Sequence, residues 1–425
     1  MKLAVIGAGM SGLSIANMLR HSADVVVFEQ KEKAGGLIRC ERVQDCLFHK
    51  VGGHVFNSRN QQVLDWFWSY FDRDAEFIMA RRNAKIYFDH RIIGYPVENY
   101  LYLLNRELVS RIIGELAALE KREKKSPFEY PHFESFLRNN LGDTLFDLYF
   151  QPYNKKIWQT DLSRVPMEWL EGKLPMPDFA SIVVSNIVRE EETTMVHASF
   201  YYPRENGSQF IIDRLSAGLT IRKDTVITDF KKQDGKFVLP AGDNFDAIVY
   251  CGDVRKLPLY ARQLAVRNGI DIAYIEALAS NGTSNLFCET DDTDISWLYI
   301  PENFTRAHRI IYTGNFSNTN NRGSKRKTCV VEFSGKVEYA TMLEEIKKLP
   351  GNLHPLACNY EPNSYVVQDN NTRRAIAQLK AVLEKEHIYL MGRFAEWEYY
   401  NMDKCIERAF QLAGQLKKQV ASAVL

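Results

Sequence analysis

The stretch that most narrows what this chain can become is Gly7-Ala8-Gly9-Met10-Ser11-Gly12. It lies between an apolar run, Lys2 to Ile6, and a segment whose Leu13, Ile15, Ala16 and Leu19 fall toward one side of a helix. The three glycines fit G-x-G-x-x-G. That spacing serves a tight turn, then close backbone approach to a pyrophosphate, then close packing of helix on strand. The start of the helix adds N–H groups and partial positive charge where phosphates would sit. A second strand, Val25 to Phe28, ends in Glu29, 22 residues after Gly7, where a carboxylate can take ribose hydroxyls. A second glycine turn follows in Ala34-Gly35-Gly36-Leu37. The rival reading, a secretion signal, is disfavoured: glycines interrupt the apolar run, no small-x-small cleavage site is evident, and Glu29 to Lys33 is densely charged.

The remaining pattern predicts an α/β protein. At 425 residues the chain is long enough for roughly two to three domains. The expected architecture is a Rossmann-like dinucleotide-binding domain with an inserted helical bundle and an inserted antiparallel sheet. The Rossmann-like part is assigned to 1–75, 210–262 and 355–425, the helices to 97–185, and the sheet to 76–96, 186–209 and 263–354. One helical spacing runs from Asn99 to Leu116; another runs from Phe133 to Phe150 with Gly142 as a break. AIVYCG near 250 and IYLMG near 390 read as buried strands returning to the first sheet. A closing helix spans about 402–420.

Composition excludes several classes. The net charge of +1 provides no field for nucleic acid or an anionic membrane, and the basic runs EKREKK and RGSKRK are short enough to be solvated surface. Seven scattered cysteines without a C-x-x-C pair point to reduced thiols in the cytoplasm, not to a disulfide framework or a metal site. No apolar run reaches the roughly 20 residues of a membrane span. The oligomeric state stays open, a homo-oligomer included.

Six further segments bring a family into view: FHKVGGHVFNS at 48–58, YPVEN at 95–99, PYNKKIW at 152–158, WLYIPEN at 297–303, HRIIYTGNFS at 308–317 and GRFAEWEYYNMD at 392–403. Together, in this order, they resemble the UDP-galactopyranose mutases, with the middle segments closer to the longer eukaryotic members. The resemblance implies FAD, active when reduced, with NAD(P)H or another electron donor. It implies a nucleotide-sugar substrate whose pyranose and furanose forms interconvert, reduced flavin N5 acting as nucleophile, in the service of cell-surface polysaccharide synthesis.

Carried over residue by residue, the resemblance implies FAD contacts from Gly7, Gly9, Met10, Ser11, Gly12, Glu29, Gly35, Gly36, Leu37, Arg39, Gly53, His54, Gly392, Arg393 and Met402. It implies a substrate site from Tyr95, Tyr153, Asn154, Trp158, Tyr299, Arg309, Tyr365 and Tyr399. Arg309, Lys173 and His54 are the catalytic candidates. Arg309 would hold the diphosphate with its planar fork, helped by the hydroxyls of Tyr365 and Tyr399. Three departures bear on the sugar and the nucleotide. Lys173 stands where the family has a mobile arginine, Glu98 where eukaryotic members have glutamine, and Asn401 where bacterial members have aspartate. Two other readings fit part of this pattern: an FAD-dependent oxidoreductase of the amine oxidase or protoporphyrinogen oxidase type, and a mutase-like flavoprotein without turnover.

Overall fold

The computed structural model describes residues 1–123, 125–167, 178–189, 198–240 and 242–422. The first sheet has five parallel strands in the order Ile388–Leu390, Ala247–Tyr250, Lys2–Ile6, Asp24–Phe28, Thr220–Arg222. The strands are short apolar runs because helices or loops cover both faces. Alternation divides the first strand. Leu3 and Val5 join the core beneath helices Met10–Leu19 and Met402–Ser422, while Ala4 and Ile6 join the core containing Ile248, Ile388 and Trp397. The chain thus brings its two ends and two middle segments into one sheet. The strand tips carrying Gly7, Glu29, Cys251 and Gly392 gather at one edge, where open parallel sheets bind ligands.

The second sheet has seven strands in the order His354–Val366, Ser280–Thr290, Lys327–Ser334, Ala307–Ile311, Trp297–Tyr299, Ala84–Phe88, Arg91–Gly94. It is antiparallel except where Trp297–Tyr299 lies parallel to Ala84–Phe88. The boundary expected at 355 falls inside this sheet: His354–Val366 pairs along Ser280–Thr290, so residues up to 366 leave the dinucleotide-binding part. Phe77–Arg81 stands apart, paired with Ser199–Pro203.

The helical segment differs from expectation in one place. The spacing from Asn99 to Leu116 is split at Asn105, whose side chain accepts the Leu108 N–H at 2.9 Å and starts a new helix, Arg106–Glu120. An N-cap asparagine overrides continuous apolar periodicity. Gly142 does break its helix, at φ 86°, before Phe146–Phe150. No helix among the described residues is long and apolar enough to cross a membrane.

Candidate active site

The edge of the parallel sheet opens into a cavity of about 740 Å³. That volume lies within the roughly 300–1,000 Å³ usual for small-molecule sites. Gly7 and Gly9 through Gly12 form one wall, and Gly35, Gly36, Leu37 and Arg39 face them. Gly12 is there for close packing: a Cβ would stand 1.9 Å from the Gly7 carbonyl oxygen. Gly35 takes φ 133°, and a side chain there would also press on Arg39. The helix Met10–Leu19 begins at Gly9 with no side-chain cap, so its first N–H groups remain for a ligand's phosphates.

Glu29 reaches back to this turn. One carboxylate oxygen accepts the Ala8 N–H at 2.9 Å and the other accepts the Lys31 N–H at 3.0 Å. The loop and the acid are therefore pre-positioned together at the cavity wall. Arg39 donates to the Gly36 carbonyl at 2.8 Å and lies 3.6 Å from Glu361, a carboxylate on the second sheet.

Gly53, His54, Arg82, Trp297, Arg393, Asn401 and Met402 also line the cavity. Every expected cofactor contact lies on the cavity wall except Gly392. Gly392 instead donates its N–H to Glu396 at 3.0 Å and packs on Ser11, where a Cβ would come within 2.6 Å of the hydroxyl. Arg393 donates to the Tyr400 carbonyl at 2.6 Å and the Ser364 carbonyl at 3.2 Å, with its guanidinium 4.3 Å over the Tyr399 ring.

His54 carries a feature of a ligand site: its Nε2 is buried without a protein partner. Buried polar atoms are seldom left so. A dinucleotide-sized cavity with unclaimed helix N–H groups, an aligned carboxylate and an orphaned imidazole nitrogen fits FAD. Behind His54, His49 Nδ1 lies 3.3 Å from the His54 backbone N–H, which it accepts. That leaves His49 Nε2 to carry the proton and donate to the Tyr202 hydroxyl at 2.7 Å. Burial pushes the His49 pKa down to about 4 and holds His54 well below its ordinary value.

These imidazoles predict acid sensitivity. A histidine whose folded pKa is depressed gives stability that is whole above pH 6.5 and is lost as pH falls toward about 4. His49 alone is worth about 3 kcal/mol across that window. Denaturant midpoints measured from pH 7 to pH 4.5 should fall steeply, and His49→Gln should flatten the slope. An unchanged slope in that variant would contradict the assignment.

The expected substrate residues do not line this cavity; they gather in an aromatic cluster. Tyr95 and Tyr299 have ring centroids 5.0 Å apart, and Tyr153 meets Tyr299 at 5.5 Å. Tyr365 and Tyr399 stack in parallel at 6.0 Å. The Arg309 charge acts on the hydroxyls of both Tyr153 and Tyr365. Burial pushes the Tyr95, Tyr153 and Tyr365 pKa values up, so these hydroxyls remain protonated donors. Two expected residues stand differently. Trp158 packs on Phe133 at 5.6 Å in the helical core, and Asn154 donates to the Phe150 carbonyl of its own helix at 2.7 Å. Glu98 is buried, and its charge bears on Tyr95 and Tyr149. Lys173 lies outside the described residues.

Sequence reasoning missed Arg82, which joins the cavity wall to the tyrosine cluster. It lies on the cavity wall, donates to the Tyr299 hydroxyl at 2.6 Å, and sits 5.1 Å from the Tyr95 ring and 5.5 Å from that of Trp297. The available signal was Arg81-Arg82-Asn83 interrupting two apolar strands. It also missed Arg255, held by Asp253 at 2.7 Å on the wall beyond Glu29, and Glu332, buried behind Arg309.

Residues 5–72 match the family model of an NAD(P)-binding Rossmann-like domain. A UDP-galactopyranose mutase of Mycoplasma genitalium is 21% identical, covering 97% of this chain and 94% of its own. The crystal structure of a reduced UDP-galactopyranose mutase superposes with a TM-score of 0.84 at 19% identity, covering 98% of this chain and 93% of that one. Over nearly its whole length the chain is similar to the UDP-galactopyranose mutases. These relatives indicate an isomerase, on an architecture shared with the solved mutase. Within the family's reach lies a dTDP-fucopyranose mutase of Escherichia coli, 23% identical over 41% of this chain and 46% of its own. Relatives of this chain thus include mutases named for different sugar nucleotides.

Proposed function

We propose that this chain is a flavin-dependent mutase that interconverts the pyranose and furanose forms of a nucleotide sugar, UDP-galactose or a close relative, for cell-surface polysaccharide synthesis in the cytoplasm. The observation that carries the reading is the placement of Arg309 and a group of protonated tyrosines against the cavity end that holds His54 and Arg393. Reduced FAD, with electrons from NAD(P)H or another donor, supplies a nucleophilic ring nitrogen, N5, for the sugar's anomeric carbon.

The protein's tasks follow from its own residues. Gly7, Gly9, Gly12 and the bare helix start hold the dinucleotide's phosphates, and Glu29 takes its ribose. Arg309 holds the substrate diphosphate while it is detached. Tyr365 and Tyr399 donate hydrogen bonds to the same phosphates, and burial keeps the Tyr365 proton in place. Tyr95, Tyr153 and Tyr299 offer planes for a base or for the apolar face of a sugar. His54 faces the flavin side in its neutral form, since burial disfavours its cation.

The test is direct. The yellow protein is reduced, mixed with UDP-galactopyranose or dTDP-fucopyranose, and the products are separated by chromatography. Furanose formation only in the reduced state supports the proposal. Oxygen-consuming turnover of amines or porphyrinogens would replace it with an oxidase, and a UDP-perturbed flavin spectrum without product would mark a binding protein.

A further inference from the structure

Arg309 is positioned by a residue that also holds the cofactor side. Glu332 lies on strand Lys327–Ser334, directly across from Arg309 on strand Ala307–Ile311, and is fully buried. Its two oxygens are divided. Oε2 accepts from Arg309 Nε, and Oε1 accepts the Gly52 backbone N–H at 2.6 Å. Gly52 begins the turn whose next two residues, Gly53 and His54, stand on the cavity wall. That turn is pressed against the sheet: a Cβ on Gly53 would come within 2.7 Å of Ile311. His308 Nε2 is 3.4 Å from Glu332 Oε2 but lacks hydrogen-bond alignment, so it acts on the carboxylate as an electrostatic neighbour.

We propose that Glu332 is a positioning residue that couples the two sites. One oxygen fixes Arg309 through Nε, leaving the terminal fork for the diphosphate, and the other fixes the His54 turn against the cofactor. The inference rests on the reading of Arg309 as the diphosphate-holding residue. Burial by itself would favour protonation of Glu332, but the Arg309 guanidinium and His308 outweigh it and keep the carboxylate charged. Both oxygens must accept, and only a carboxylate does this. An amide has one accepting oxygen, and its NH₂ would oppose either the Arg309 or the Gly52 N–H.

Glu332→Gln therefore breaks one half of the coupling whichever way the amide turns. In FAD-loaded protein we expect flavin to be retained, UDP binding to weaken by at least about tenfold, and the UDP-induced change in flavin absorption to shrink. The double variant with Arg309→Lys should bind UDP no worse than the weaker single variant, since both changes remove one interaction. UDP affinity within about twofold of the parent, or fully additive losses, would overturn the proposal.

If Glu332→Gln does not retain FAD, Arg309→Lys alone carries the test. It disturbs the shared carboxylate from outside the cavity wall, so it should move the flavin spectrum and midpoint potential. A spectrum and potential identical to the parent's would sink the coupling. If the parent protein itself fails to bind UDP, the mutase reading falls, and the same Arg309→Lys potential still decides the coupling.

Discussion

Arg309→Ala should lose nearly all turnover while the purified protein stays yellow. Removing a bidentate cation from a developing diphosphate should cost about 10²–10³ in rate, the scale seen when one preorganised donor is lost from a charged transition state. Flavin survives because Arg309 is not on the cavity wall, and because Glu332 keeps its bond to Gly52 through its other oxygen. The same variant should be less stable. Breaking a fully buried ion pair costs about 3–5 kcal/mol. The Arg309 side chain is 17% exposed, so the loss should fall at or below the low end of that range. Assays are therefore run well below the variant's midpoint, with Arg309→Lys as the control. Lysine restores a counter-charge for Glu332 but not the planar fork, so stability should recover more than turnover does. Loss of flavin from Arg309→Ala would place the residue in the cofactor cradle and remove the main support for a diphosphate-bearing substrate.

The parts legible in the sequence were those whose physics is local. Gly7, Gly9 and Gly12, followed by Glu29, specify a turn and a carboxylate within one strand-helix-strand unit, so spacing alone locates them. Continuous apolar runs such as AIVYCG and IYLMG could be assigned to a parallel sheet because only a sheet covered on both faces uses them. Partnership across strands was not legible. Glu332 stands beside Arg309 only once the register of two antiparallel strands is set, and nothing in HRIIYTG or VVEFSG announces it. Arg82 reaches Tyr299 across 217 positions of sequence, a contact made by the parallel pairing of Ala84–Phe88 with Trp297–Tyr299. Trp158 shows the converse. Its motif suggested a stacking plane, and nothing in it announced Phe133 as a neighbour in the buried cluster shared with Tyr299 and Tyr365. The boundary near 355 failed for a similar reason, because a long edge strand shows the same alternation whichever sheet it joins.

Gly12→Val should yield colourless, weakly folded protein, and the reason lies in a contact that cannot relax. A Cβ at Gly12 would sit 1.9 Å from the Gly7 carbonyl oxygen, 3.1 Å from its carbonyl carbon and 3.2 Å from Val5 Cγ1. Two of those atoms are backbone, so no rotamer change relieves the clash; the helix Met10–Leu19 must move away from the first strand. That helix packs on Met402–Ser422, and Leu13, Ala16, Ile406 and Ala409 belong to one buried core, so moving it opens that core. Overpacking costs about 1–3 kcal/mol where side chains can adjust, and this site should reach or exceed the upper figure. Gly9→Ala separates the fold from the phosphates. A Cβ there meets nothing closer than Gly36 Cα at 3.8 Å, so the empty protein should fold as the parent does. The added methyl instead occupies the wall where the backbone approaches the dinucleotide. The expected pair of results is a lowered midpoint with no flavin for Gly12→Val, and an unchanged apoprotein midpoint with reduced flavin occupancy for Gly9→Ala. Absorbance near the flavin band after denaturing release, set against calorimetric midpoints, reads both. A fully yellow Gly12→Val protein would mean that the helix start does not hold the cofactor.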